Sequence, residues 1–171
     1  MDIVSNIELN LKQLLEGIDG TEQSTGYTFH SKTGTVNIED EILSRSMSGD
    51  PNDINHEIWQ NDTETGLRFA IGQNALTNRI PFLIISRCKN IATVDNPMFA
   101  IKSKMNQVLS DIKHSIYMNN TLNGSCSHVT YVSSMKSIND DNNRIYTGEL
   151  ETVISVEYSQ SGQNPDLLAC I

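Results

Sequence analysis

The sequence predicts an α+β fold: a mixed, mainly antiparallel sheet with helices packed on one face. Three observations predict it. Residues 3–18 and 101–116 carry apolar side chains at helical spacing. Several other stretches alternate apolar and polar residues, as half-buried strands do. The order runs helix, hairpin, loop, strands, long helix, two strands, with no internal repeat and no second domain.

The opening helix rests on Ile3, Ile7, Leu11, Leu14 and Ile18, widened by Leu15, with Gly17 and Gly20 as its stop. Residues 26–40 read as a hairpin: Tyr27 and Phe29 alternate, "SKTG" turns, then Val36 and Ile38 alternate. Residues 44–64 are polar and broken by Gly49 and Pro51, which predicts a long loop with one helical turn at 54–60. Leu67, Phe69 and Ile71 alternate as a strand. "GQNALTNR" then reads as a connection, and "IPFLIIS" as a central strand starting at Pro81.

Ile101, Met105, Val108, Ile112 and Ile116, joined by Leu109, form the face of a second helix. Asp95 or Asn96 caps it, Pro97 suits its first turn and Asn123-Gly124 closes it. Two strands follow, at about 127–136 and from Ile145 onward, around the polar tip "NDDNN". In the last strand Leu150, Thr152, Ile154, Val156 and Tyr158 share one face; Glu149, Glu151, Val153, Ser155 and Glu157 share the other. Residues after about 160 read as a tail.

Composition narrows the function. The 171 residues suit one domain, spanning 1–171, with a single core. The hydrophobic fraction of 37% still allows that core and argues against chain-wide disorder. A net charge of -9 argues against general DNA binding and against an anionic membrane surface. Cys88, Cys126 and Cys170 are far apart and form no CxxC pair, so a disulfide scaffold is not expected and a reduced cytoplasmic compartment fits. The N-terminus lacks the basic and apolar regions of a signal peptide, and no stretch is apolar enough to span a membrane.

Motifs for chemistry are sparse. His30, His56, His114 and His128 have no metal-ligand spacing, so a surface or structural role is expected of each. Cys88 sits between Arg87 and Lys89, where cations lower a thiol pKa, yet a nucleophile also needs a base. A buried or strand-edge cysteine is the plainer reading. Phosphate loops and GxSxG are absent. Asp140 and Asp141 lack the spacing of a calcium loop and read as a solvated turn. Trp59 either anchors a partner or tacks its loop to the core. No catalytic, cofactor-binding or metal-ligating residue is assigned.

One resemblance adds to this reading. "RIPFLIIS", the helix "MNQVLSDIKHSIYMNNTLNG" and a terminal strand ending in "ISVEY" follow one another across residues 80–158. This resembles the tail terminator and tail completion proteins of long-tailed bacteriophages. In that family a helix of the form "lxxDIxxaL" precedes a small-residue turn and a "vxVxY" strand. Here those are Leu109, Asp111 and Ile112, then Asn123-Gly124, then Val153, Ile154, Val156 and Tyr158.

The resemblance implies a non-enzymatic virion protein without a cofactor, at the tail–neck junction. It implies a hexameric ring that ends the tail tube and meets the tail-tube and neck or head-completion proteins, while DNA passes through without specific binding. Six copies carry 6 × (-9) = -54, which favours sliding over adhesion. Glu149, Glu151 and Glu157 are lumen candidates, or simply the wet face of a strand. The tip at Asp140 and Asp141 and the loop holding Trp59 are candidate contacts to the next ring. Two other readings stay open: another neck connector or a tail-tube protein, and a small ligand-binding domain or enzyme.

Overall fold

The structure, a computed structural model, describes residues 2–39, 53–60, 65–70, 75–91, 96–141, 145–161 and 168. Helix α1 spans Ile3–Glu16. Asp2 caps it, its carboxylate accepting the Ser5 N–H and hydroxyl, both at 2.8 Å. Those bonds favour the charged carboxylate and lower its pKa. Ile3, Ile7, Leu11 and Leu15 form the buried stripe, with Leu14 at its margin. Gly17 ends the helix, as expected.

The expected hairpin at 26–40 does not form. Only its second half is a strand, β1 (Thr33–Ile38). The backbone N–H groups of His30 and Ser31 are instead held by the Asp111 carboxylate, so the segment before β1 is tied to a helix. The expected loop at 44–64 is also corrected. Its residues 54–60 are neither loop nor helical turn but strand β2 (Ile54–Gln60), paired in parallel with β1. Ile54, His56 and Ile58 are all fully buried on one face. A buried histidine had disguised the alternation. Residues 44–52 and 61–64 of that loop lie outside the described residues.

Strand β3 (Thr65–Ala70) forms where Leu67 and Phe69 predict a strand and pairs antiparallel with β4 (Ala75–Ile91); Ile71 lies outside the described residues. The described part of the expected connection is therefore strand, and β4 begins well before Pro81. Proline is tolerated there because β4 changes partners: Ala75–Arg79 pair with β3, Phe82–Arg87 with β2. Between them, among the described residues, no donor is required on that side.

Helix α2 spans Pro97–Met118, capped by the Asn96 side chain on the Phe99 N–H at 3.2 Å. The turn after it bends through Leu122, Asn123 and Gly124, all at positive φ. Strands β5 (His128–Asp141) and β6 (Ile145–Ser161) close the chain. Asp140 and Asp141 thus end a strand, paired with Tyr146 and Ile145, and are no free turn; residues 142–143 of the expected tip lie outside the described residues. Of the expected tail, Ser161 still belongs to β6 and Leu168 bridges back to Gln160; residues 162–167 and 169–171 are not described.

The sheet order is β1-β2-β4-β6-β5, with β3 also on β4; among the described residues only the β1–β2 pair is parallel. The fold is α+β with a mixed, mostly antiparallel sheet, as expected. Registers Ile80↔Val156, Phe82↔Ile154 and Ile84↔Thr152 put the buried residues of β4 and β6 on one face. Both helices cover that face: α1 lies over β1 and β2, α2 over β4, β5 and β6. Each fully buried Ile, Leu or Phe there stabilises the fold by about 1.5–3 kcal/mol. Gly148 lets α2 come close. A Cβ there would meet Ile101, Cys88 and Met105 at 2.8–3.0 Å. Among the described residues no helix is long and apolar enough to cross a membrane.

Candidate functional site

The opposite face of the sheet carries no described helix, and it collects most of the residues singled out in the sequence. Successive strand residues point to opposite faces, so Pro81, Leu83, Ile85 and Arg87 of β4 share this side with Glu149, Glu151, Val153, Ser155 and Glu157 of β6. Trp59 joins them because β2 pairs with β4 in the register Trp59↔Leu83 and Glu57↔Ile85. Trp59 lies not in the expected loop but in strand β2 of the sheet, where it is half-buried.

Charge on this face is balanced locally. The Arg87 guanidinium holds Glu57 through Nη1 and Glu149 through Nε, the latter at 3.0 Å. Trp59 Nε1 donates to Glu57 Oε2 at 3.2 Å. Burial alone would lower the Arg87 pKa, but Glu57 and then Glu149 more than offset it, and the pKa rises. Arg79 pairs with Glu157 at 3.4 Å, more exposed than the first cluster and so worth less. Among the described residues Glu151 has no such cation. The acidic face foreseen in the sequence is therefore a sheet surface of apolar residues with clamped charges. With Lys89 beside Arg87 on the same side of β4, the described glutamates of this face are nearly matched by cations.

A depression of about 500 Å³ opens on this face, floored by Pro81, Val132 and Val153 and walled by the Arg79–Glu157 pair. Val132 and Met135 stand 56% and 60% exposed.

The helix-side polar groups are internal ties. Asp111 is fully buried and accepts from Tyr27 Oη (2.9 Å), His30 N (3.1 Å), Ser31 N (2.8 Å) and Ser31 Oγ (2.6 Å). Burial, then the bond to Asp111, pushes the Tyr27 pKa up to about 12. Tyr27 stacks on His114 with centroids 3.9 Å apart. Both carboxylate oxygens are engaged, so Asp111 fastens the 27–31 segment to α2 and offers no open base.

His56 is fully buried, with Nδ1 2.8 Å from Ser86 Oγ and Nε2 3.3 Å from Thr33 Oγ1. Thr33 already donates its hydroxyl proton to the Leu15 carbonyl at 2.8 Å. Nε2 must therefore be the donor to Thr33, and Ser86 donates to Nδ1. Burial lowers the His56 pKa to about 4, so the ring is neutral near pH 7. No carboxylate orients this Ser–His pair, and both residues lie beneath the helices.

Cys88 faces the core, on the side opposite Arg87 and Lys89. Burial raises its pKa, with Lys104 opposing. That is the inert cysteine expected in the sequence. His128 opens β5 and is exposed. Among the described residues no group of three or more His, Cys, Asp or Glu is placed to hold a metal ion. Sequence reasoning missed Glu57, and it gave His56 a surface or structural role without placing it in a buried strand. The even spacing of Ile54, His56 and Ile58 was the available signal.

No protein-family model matches the chain, and no curated protein matches it.

Proposed function

We propose that this chain is a structural virion protein that rings the head-proximal end of a phage tail tube, stops tube growth and joins tail to neck. One observation carries the reading. The residues of the resemblance fall in one packed unit: Leu109, Asp111 and Ile112 on α2, the turn at Asn123-Gly124, and 153–158 of β6, on which α2 packs. A helix-backed sheet with a wide uncovered face is also what a ring subunit needs, since that face and the sheet edges remain for neighbours. The chain charge of -9 suits a channel that DNA traverses without adhering. In this reading the protein is not an enzyme. Its partners are other copies of itself, the tail-tube protein and a neck or head-completion protein.

A second reading, a small ligand-binding domain, draws on a groove of about 720 Å³ where residues 29–32 meet the first half of α2, lined by Lys32 and Lys104 among others. Light scattering behind size exclusion, with negative-stain imaging of the peak and of purified tail tubes mixed with the protein, separates the readings. Closed rings, free or on tube ends, are expected. Open-ended filaments move the assignment to a tube protein. A monomer that ignores tube ends, yet melts higher with a nucleotide or small anion, favours the ligand-binding domain.

A further inference from the structure

We infer that the outward face of α2 binds a second copy of this chain, against that copy's α1 and the acidic residues that follow it. The inference takes self-association from the ring reading and names the surfaces that meet.

Copies of this chain repel one another, since each carries -9. A contact between copies is favoured where a cationic patch of one meets an acidic patch of the next. Among the described residues, the outward face of α2 is such a cationic patch. Phe99, Lys102, Asn106, Ser110, Lys113 and Tyr117 recur at steps of three or four residues, and all are exposed. The one acid on α2, Asp111, is fully buried and already engaged by four donors. Lys136 of β5 adds to the patch, because its Nζ donates to Asn106 Oδ1.

The contacts of these lysines are to neutral groups. Lys113 lies over the Tyr131 ring at 4.3 Å, and Lys104, beside the stripe, reaches the Lys89 carbonyl at 3.4 Å. Phe99 and Tyr117, 69% and 79% exposed, put a large side chain at each end of the stripe. Phe99 and Lys104 also border the groove of about 720 Å³, where Lys32 is a further cation and Asp53 the one acid among the described lining residues.

Charge selects the opposing surface. Residues 2–22 hold five acids, Asp2, Glu8, Glu16, Asp19 and Glu22, against Lys12, a net of -4. Glu16, Asp19 and Glu22 are exposed and cluster where α1 ends, and exposed Leu9 supplies an apolar contact midway along the helix. At 1.5 Å per residue, Asp2 and Glu16 lie about 21 Å apart and Lys102 and Lys113 about 16 Å apart, so two cations can face two acids along one contact. The uncovered sheet face offers no comparable patch, because Arg79, Arg87 and Lys89 nearly match its glutamates.

The fold puts the two surfaces where neighbours can reach them. α1 covers β1 and β2 on one side of the sheet, and α2 covers β4, β5 and β6 on the other. A neighbour related by rotation then brings its α1 side to the α2 side of the first copy. Contacts of α2 with α2, or α1 with α1, would set like charge on like. A head-to-tail contact pairs opposite charges at every step and closes into a ring when the rotation allows.

Two double variants test this: Lys102→Glu with Lys113→Glu on α2, and Glu16→Lys with Glu22→Lys on the α1 side. Far-ultraviolet circular dichroism first checks that each is folded, and light scattering behind size exclusion reads assembly against concentration. Each alone is expected to raise the concentration needed for assembly at least tenfold. The second variant changes the chain charge from -9 to -9 + 4 = -5, which lowers overall repulsion, so a loss there reports the contact itself. An equimolar mixture of the two restores assembly, because every contact again pairs opposite charges; the quadruple variant does the same. Assembly that persists in either double variant, or that neither mixture nor quadruple restores, overturns this contact and leaves the ring reading standing. Assembly that stops at two copies, yet is lost and restored in this pattern, upholds the contact and overturns the ring. A wild-type chain that never assembles, even on tail tubes, overturns both.

Discussion

Replacing Asp111 with alanine is expected to cost about 4 kcal/mol of stability. The carboxylate is fully buried and serves four donors from a segment some 80 residues away in sequence. The Tyr27 and Ser31 hydroxyls can turn to other acceptors. The His30 and Ser31 peptide N–H groups cannot turn, and each stranded donor costs roughly 1–3 kcal/mol. Two at about 2 kcal/mol each set the magnitude. For a chain of this length, 1 kcal/mol moves the melting temperature by about 2–4 °C. The drop is then about 8–16 °C by circular dichroism, with a matching shift in the urea midpoint. Asp111→Asn keeps one carbonyl oxygen but turns an amino group on the other donors, and is expected to lose about half as much. Tyr27→Phe removes one donor and costs about 1 kcal/mol. A loss below 1 kcal/mol in Asp111→Ala, or wild-type stability in Asp111→Asn, would refute the role of Asp111 as the tie between α2 and the 27–31 segment.

Two further outcomes are expected. His56 has a folded pKa of about 4 against an ordinary 6.5, so the unfolded chain takes up the proton first as pH falls. Its contribution is complete above pH 6.5 and is lost as pH falls toward 4, roughly 2–3 kcal/mol by pH 4.5. Urea midpoints at pH 7.5 and 4.5 should converge in His56→Gln relative to wild type; an unchanged difference refutes the assignment. Arg87→Met removes the Arg87 guanidinium from Glu57, whose side chain is only 5% exposed. Breaking a buried pair costs about 3–5 kcal/mol, and the 34% exposure of Arg87 reduces this to about 2. Adding Glu57→Leu should recover at least half, and a single variant within 0.5 kcal/mol of wild type would show that the pair stabilises nothing.

Much of the fold was legible because its signals are local. A helix repeats every 3.6 residues, so Ile101, Met105, Val108, Ile112 and Ile116 declare α2 without reference to anything else. The alternation in 150–158 declares β6 in the same way. Local signals failed where a distant group intervened. Tyr27 and Phe29 alternate like a strand, yet Asp111 takes the backbone N–H groups that follow them. "INHEIWQ" reads as a loop because His56 is polar, but Ser86 and Thr33 satisfy its ring in the core.

The candidate site divides along the same line. By itself the sequence determined that Glu149, Glu151 and Glu157 share one face, since that follows from the two-residue period of a strand. It determined the long helix, the mainly antiparallel α+β class and the acidic balance. Only the tertiary structure decided which neighbours those glutamates meet. Register across β2, β4 and β6 is set by long-range pairing and by which side chains the helices bury. That register brings Arg87 between Glu57 and Glu149 and places Trp59 beside Leu83.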